Sequence, residues 1–60
     1  MYHETIGYIV VKVHKRTGRA TIDSGIMDVG RASEIAAKKD GALSSDSPYN
    51  YMPMRIESLE

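Results

Sequence analysis

Apolar and polar positions alternate with a period of two at the start of the chain and with a period near 3.6 in its middle, and that switch sets out the elements. The most apolar stretch, Gly7 to His14, reads GYIVVKVH and predicts a central strand over about Ile6 to His14. Alternation sends Ile9, Val11 and Val13 to one face and Ile6, Tyr8, Val10, Lys12 and His14 to the other. The first set is wholly apolar and is expected to face a helix. The second is mixed and is expected to see solvent or a partner. Lys15-Arg16-Thr17-Gly18 reads as a four-residue turn with Gly18 where a left-handed residue is wanted. A second strand follows over about Arg19 to Ser24, ended by Gly25.

Pairing His14 with Arg19 across the turn sets the register. Val13 then faces Ala20, Val11 faces Ile22 and Ile9 faces Ser24, while Lys12 meets Thr21 and Val10 meets Asp23. A slip by one residue would expose Ile22.

Asp28 is a good N-cap for a helix over about Val29 to Asp40. Val29, Ala32, Ile35, Ala36 and the stem of Lys39 fall on one thin, alanine-rich face that allows close approach to a sheet. Gly41 is expected to stop the helix in a left-handed conformation, with Leu43 folding back. Ser44-Ser45-Asp46-Ser47-Pro48 reads as a polar, mobile loop. A third strand is expected over about Tyr51 to Ser58, with Met52, Met54 and Ile56 pointing one way and Tyr51, Pro53, Arg55 and Glu57 the other; Met52 and Met54 could form an adaptable binding surface, but their alternation reads better as core filling beneath the helix. Pro53 cannot donate to a ladder, which places this strand at an edge. A right-handed crossover then gives an α+β fold of ββαβ form: a three-stranded antiparallel sheet, order 2-1-3, with one helix on one face and the other face open.

Sixty residues without internal repeats make one domain, residues 1–60, near the lower size limit for folding without staples. With no cysteine a disulfide framework is excluded. Phe and Trp are also absent, so the core is expected to come from Ile, Val, Met and Leu. Such a core offers only roughly 3–5 kcal/mol net, which favours self-association or a partner. No apolar run reaches the length of a membrane span, and the first residues lack a basic start and apolar region, so a cytoplasmic location is expected. Net charge is zero but segregated. Residues 1–22 carry Lys12, Lys15, Arg16 and Arg19 against Glu4 alone, and the acidic excess lies beyond them. The hairpin tip, Lys15, Arg16 and Arg19, is a solvated basic turn that could also grip a phosphate or an acidic protein.

No catalytic constellation stands out. Ser44, Ser45 and Ser47 lack the strand–turn–helix setting of an activated serine. His14 beside Lys15 and Arg16 has no positioned partner or pocket in the sequence, so it reads as a strand-end histidine rather than a general base. His3 and His14 fit no zinc spacing. The glycines form no phosphate-cradling or dinucleotide motif. A non-enzymatic protein with no metal and no cofactor is the expectation.

The constellation that remains is the mixed sheet face. Tyr8, Val10 and Lys12 would neighbour Tyr51 and Arg55 there, on a surface for a protein partner or a second copy; an edge strand could instead add to another sheet. A homodimer is expected because one thin helix leaves apolar surface wet. The alternative is single-strand nucleic-acid binding, with Tyr8 and Tyr51 stacking on bases and Lys12 and Arg55 supplying charge. Zero net charge weighs against it.

The succession YIVVKVHKRTGRATIDSG, IMDVGRASEIAAKK and YMPMRIESL resembles small orphan bacteriophage proteins of ββαβ form. That resemblance implies a host-directed inhibitor or regulator that acts by direct binding in the host cytoplasm. It carries over no functional residue.

Overall fold

The computed structural model describes residues 3–59 as β1 (His3–His14), β2 (Ala20–Ile22), α1 (Val29–Gly41) and β3 (Tyr49–Leu59). The sheet is antiparallel throughout with strand order β2-β1-β3, so the fold is the α+β ββαβ arrangement with the most apolar segment in the middle. Gly18 takes φ 74°, the left-handed conformation the turn requires. The turn closes with His14 N–H donating to Arg19 O at 2.8 Å and Gly18 N–H donating to His14 O at 2.8 Å. Val11 pairs with Ile22, Lys12 with Thr21 and Val13 with Ala20, the register that the alternation dictates.

Beyond Ile22 the second strand departs from expectation. Asp23 N–H still donates to Val10 O at 2.8 Å, but Val10 N–H turns to the Ser24 hydroxyl at 2.8 Å. A side chain thus replaces a backbone acceptor, and Ser24 does not pair with Ile9. The chain returns to the sheet at Met27, which exchanges two 2.8 Å hydrogen bonds with Tyr8. Ile26 is thereby laid across Gly7, where a Cβ would collide with its Cγ2 atom and sit 3.3 Å from Met27 O. Gly7 is needed for this close approach.

β3 pairs with β1 from His3↔Leu59 to His14↔Tyr49, with a register shift between Thr5 and Gly7. Both strands outrun the predicted bounds, because each supplies the other's ladder partners. Val10 directs its backbone groups toward β2, so its partner on β3, Pro53, lies at a position whose N–H side faces outward. The missing donor therefore costs nothing to the ladder.

α1 starts as its sequence predicts. Asp28 Oδ1 accepts from Arg31 N–H at 2.9 Å and Lys38 and Lys39 occupy the last turn. Its end differs. Gly41 is helical, and Ala42 closes the helix at φ −84°, ψ −10° with its N–H on Lys39 O at 3.2 Å. Tightened hydrogen bonding satisfies the last carbonyls, so no left-handed glycine is required there. The following loop is tied down by its own side chains. The Ser44 hydroxyl donates to Asp46 at 2.8 Å, and together with the Asp46 backbone N–H it holds that carboxyl below its ordinary pKa of 3.8.

The core lies between α1 and β1. Val10, Ala32 and Ala36 are buried together, with Tyr8, Met27, Ile35 and Tyr51 packed around them. Val29, expected on this face, is exposed. The helix therefore covers the face bearing Tyr8, Val10 and Tyr51, and the expectation that it would cover Ile9, Val11 and Val13 is overturned. With the strand order fixed, the hand of the crossover decides which face the helix takes, and the pleat decides which residues stand there. Neither is set by which face holds more apolar residues. Two alanines bring the helix close, and one valine flanked by two tyrosine rings fits that narrow gap better than a layer of branched and Met side chains.

Candidate interaction surface

The surface predicted to be open is the one the helix closes. Val10 has no exposed area, and Tyr8 and Tyr51 are half-buried against the core. Lys39 Nζ, 5.6 Å from the Tyr51 ring centre, lies over that ring and donates to Asp23. That hydrogen bond, ahead of a smaller opposing desolvation, raises the Lys39 pKa above its ordinary 10.5. Lys12 Nζ sits 4.2 Å from the centre of the Tyr49 ring. Arg55 is exposed and pairs with Glu57 at 2.8 Å. Tyr8, Val10, Lys12, Tyr51 and Arg55 thus share a face, as the alternation requires, but they do not form an open docking surface. Nor do Tyr8 and Tyr51 offer a stacking platform for bases, since the helix occupies the space above them.

The outer edge of β3 is also guarded. Tyr49 N–H donates to the Ser47 hydroxyl at 3.3 Å, Tyr51 N–H donates to Asp40 Oδ1 at 3.0 Å, and Pro53 has no N–H. These three positions are the outward-facing donors over that half of the strand, which disfavours strand addition there. At the other edge β2 is three residues long.

The opposite face of the sheet carries no helix. By register, Gly7, Ile9, Val11 and Val13 share it with Ile22 and Ala20 on β2 and with Ile56, Met54, Met52 and Asn50 on β3. Ile26, one residue before the bridge at Met27, lies on it over Gly7. Ile9 and Val11 are 5% and 2% exposed, shielded by these neighbours. The neighbours themselves stay in water: Ile22 is 71% exposed, Ile26 61%, Met52 44% and Met54 43%. Together they form a contiguous apolar patch by register, and exposed apolar patches of this kind mark contact sites. The paired core of this face bears no charged side chain.

Ile22 and Ile26 are the site residues that sequence reasoning missed, and Met52 and Met54, readable there as an adaptable surface, are the ones it assigned to the core. Met52 and Met54 were expected beneath the helix, and Ile22 was expected to be buried by correct register. The register is correct, yet Ile22 is exposed, because the face it lies on is uncovered. The signal was present in the alternation, which gathers an unbroken apolar face, and in the helix, which offers mainly alanine to cover anything. The basic tip residues Lys15, Arg16 and Arg19 are exposed, as expected for a solvated turn.

Among the described residues no group of three His, Cys, Asp or Glu side chains could hold a metal ion, and no helix is long and apolar enough to cross a membrane. No protein-family model, curated protein or solved structure matches this chain.

Proposed function

We propose that this chain is a non-enzymatic protein-interaction module whose contact surface is the helix-free sheet face, and that the occupant of that face is a second copy of the chain. The observation that carries the reading is the exposure of Ile22, Ile26, Met52 and Met54 around the buried Ile9 and Val11. A chain this small buries few large side chains of its own: Val10 and Val11 are the largest fully buried ones. Stacking two such faces supplies the missing layer at the roughly 10 Å spacing of packed sheets. A two-fold pairing of this face brings no like charges together across its paired core, which is apolar apart from Asn50.

The area suffices. The molecule is a slab with extents of 42 × 24 × 14 Å, and the open face is one of its broad sides. A stable interface needs about 800 Å2 per partner, which is under a fifth of the total accessible surface of 4477 Å2. A host protein bound in the cytoplasm, as the bacteriophage resemblance implies, is the second reading. It would use the same face, with the chain acting as an inhibitor or regulator.

Sedimentation equilibrium across the micromolar range tests the proposal. The wild type is expected to dimerise there, and Ile22→Lys to remain a folded monomer. A wild type that stays monomeric while well folded would remove the self-association reading, and an unchanged dimer in Ile22→Lys would remove the face.

A further inference from the structure

On the helix side of the sheet, past the end of α1, an open cavity of about 350 Å3 is lined by Lys12, His14, Thr17, Arg19, Thr21 and Tyr49. It lies on the opposite side of the sheet from the dimer surface, so it stands independently of that reading. Its lining holds two fixed cations, three hydroxyls and an imidazole, and no carboxylate. We infer that this cavity is an anion site for the dianionic phosphate of a phosphomonoester.

The sheet places these groups. Lys12 pairs with Thr21 on one side, while His14 pairs with Tyr49 on the other and is hydrogen-bonded to Arg19, so all project to one face. The turn fixes the rest. His14 Nδ1 accepts from Arg16 N–H at 3.2 Å and Thr17 N–H at 3.3 Å, which leaves the ring proton on Nε2 as a donor. The Thr17 hydroxyl oxygen accepts from Arg19 N–H at 3.2 Å and keeps its own proton to give. The Tyr49 ring is held edge-on by His14, with centroids 5.2 Å apart and planes at 88°, and Lys12 Nζ rests on it at 4.2 Å.

Charge selects the ligand. Among the described residues neither Lys12 nor Arg19 has a carboxylate within ion-pair distance. The acidic groups along the adjoining elements are already engaged, Asp23 with Lys39 and Asp40 with Tyr51 N–H. Two unpaired cations match the charge of about −2 on a phosphomonoester at neutral pH better than the single charge of a diester or a carboxylate. The volume falls in the range of small-molecule sites and exceeds what a bare phosphate fills, so it leaves room for the esterified group. Lys15 and Arg16 lie on the same turn, outside the lining, where they raise the local concentration of anions.

The test is an amide NMR titration of the whole chain with phenyl phosphate, inorganic phosphate, phenyl sulfate and an unphosphorylated single-stranded oligonucleotide, at constant ionic strength. Phenyl phosphate is expected to shift Lys12, Thr17, Arg19 and Thr21 selectively and to bind more tightly than phenyl sulfate. Arg19→Gln and Lys12→Gln are each expected to weaken it by about tenfold. Thr21→Val is expected to weaken it less, with the spectrum otherwise preserved. Inorganic phosphate binding as well as the ester would identify free phosphate as the source of the same chemistry; weaker binding would identify the ester. Arg19 is an exposed turn residue, so its variant remains informative should Lys12→Gln fail to fold. Absence of saturable shifts at millimolar phenyl phosphate, equal binding by Arg19→Gln, or tighter binding of the oligonucleotide would each overturn the inference.

Discussion

The two faces of one three-stranded sheet have opposite chemistry and opposite fates. The face under the helix is mixed, with one fully buried valine between two tyrosines, yet it is closed by Ala32 and Ala36. The other is almost wholly apolar, yet Ile22, Met52 and Met54 on it remain in water. What separates them is closeness of fit, because a thin helix seals a narrow groove and cannot span a broad layer of branched and Met side chains. An apolar face left over in this way is the surface we propose for another chain.

The contrast breaks most visibly if the narrow groove is filled. Ala32 is fully buried between helix and sheet, so Ala32→Leu is expected to cost about 3 kcal/mol in urea unfolding. Ala37→Leu, one position along on the exposed side of the same helix, is expected to change stability by less than about 0.5 kcal/mol. Equal costs at the two positions would mean that helix docking does not depend on alanine.

Gly7 tests how the free face is built at its edge. Gly7→Ala drives a Cβ into Ile26 and against Met27 O, and is expected to cost about 1 kcal/mol. Adding Ile26→Ala should return part of that loss, measured by thermal unfolding; no recovery would place the strain on the Met27 backbone instead.

Ile22→Lys sharpens the comparison from the other side. Measured at high dilution, it is expected to alter unfolding by at most about 0.5 kcal/mol, because Ile22 buries little within its own chain. A large loss at high dilution would show that Ile22 belongs to the monomer's core.

The smallest effect concerns the helix clamp. Lys39 has its pKa raised, first by its hydrogen bond to Asp23. A raised lysine stabilises the fold in full below its unfolded value, 10.5, and that contribution disappears as pH climbs through the folded value. The difference in urea midpoint between wild type and Asp23→Asn should therefore narrow on the alkaline side. A difference that stays constant with pH would show that the contact acts through packing rather than charge.

Much of the fold was legible because it rests on local rules. Strand order, hairpin register, the Gly18 turn, the Asp28 cap and the edge position of Pro53 all follow from period, turn chemistry and missing donors. What was misread depends on three dimensions at once. Alternation groups Tyr8 with Val10 and Ile9 with Val11, but it does not say which group meets the helix. The helix itself held the answer in part, since Ala32 and Ala36 fit a groove and not a broad layer. The open cavity was less visible. Lys12 and Arg19 were recognised as basic, but Tyr49 was placed outside the third strand, so its meeting with His14 was hidden.

Isotope-filtered NOE spectroscopy on a mixture of labelled and unlabelled chains tests the central claim most directly. Cross-chain contacts are expected among the methyl groups of Ile22, Ile26, Met52 and Met54. Cross-chain contacts confined to Val29 and the helix, or to the strand edges, would contradict the claim that the helix-free face is where this protein meets its partner.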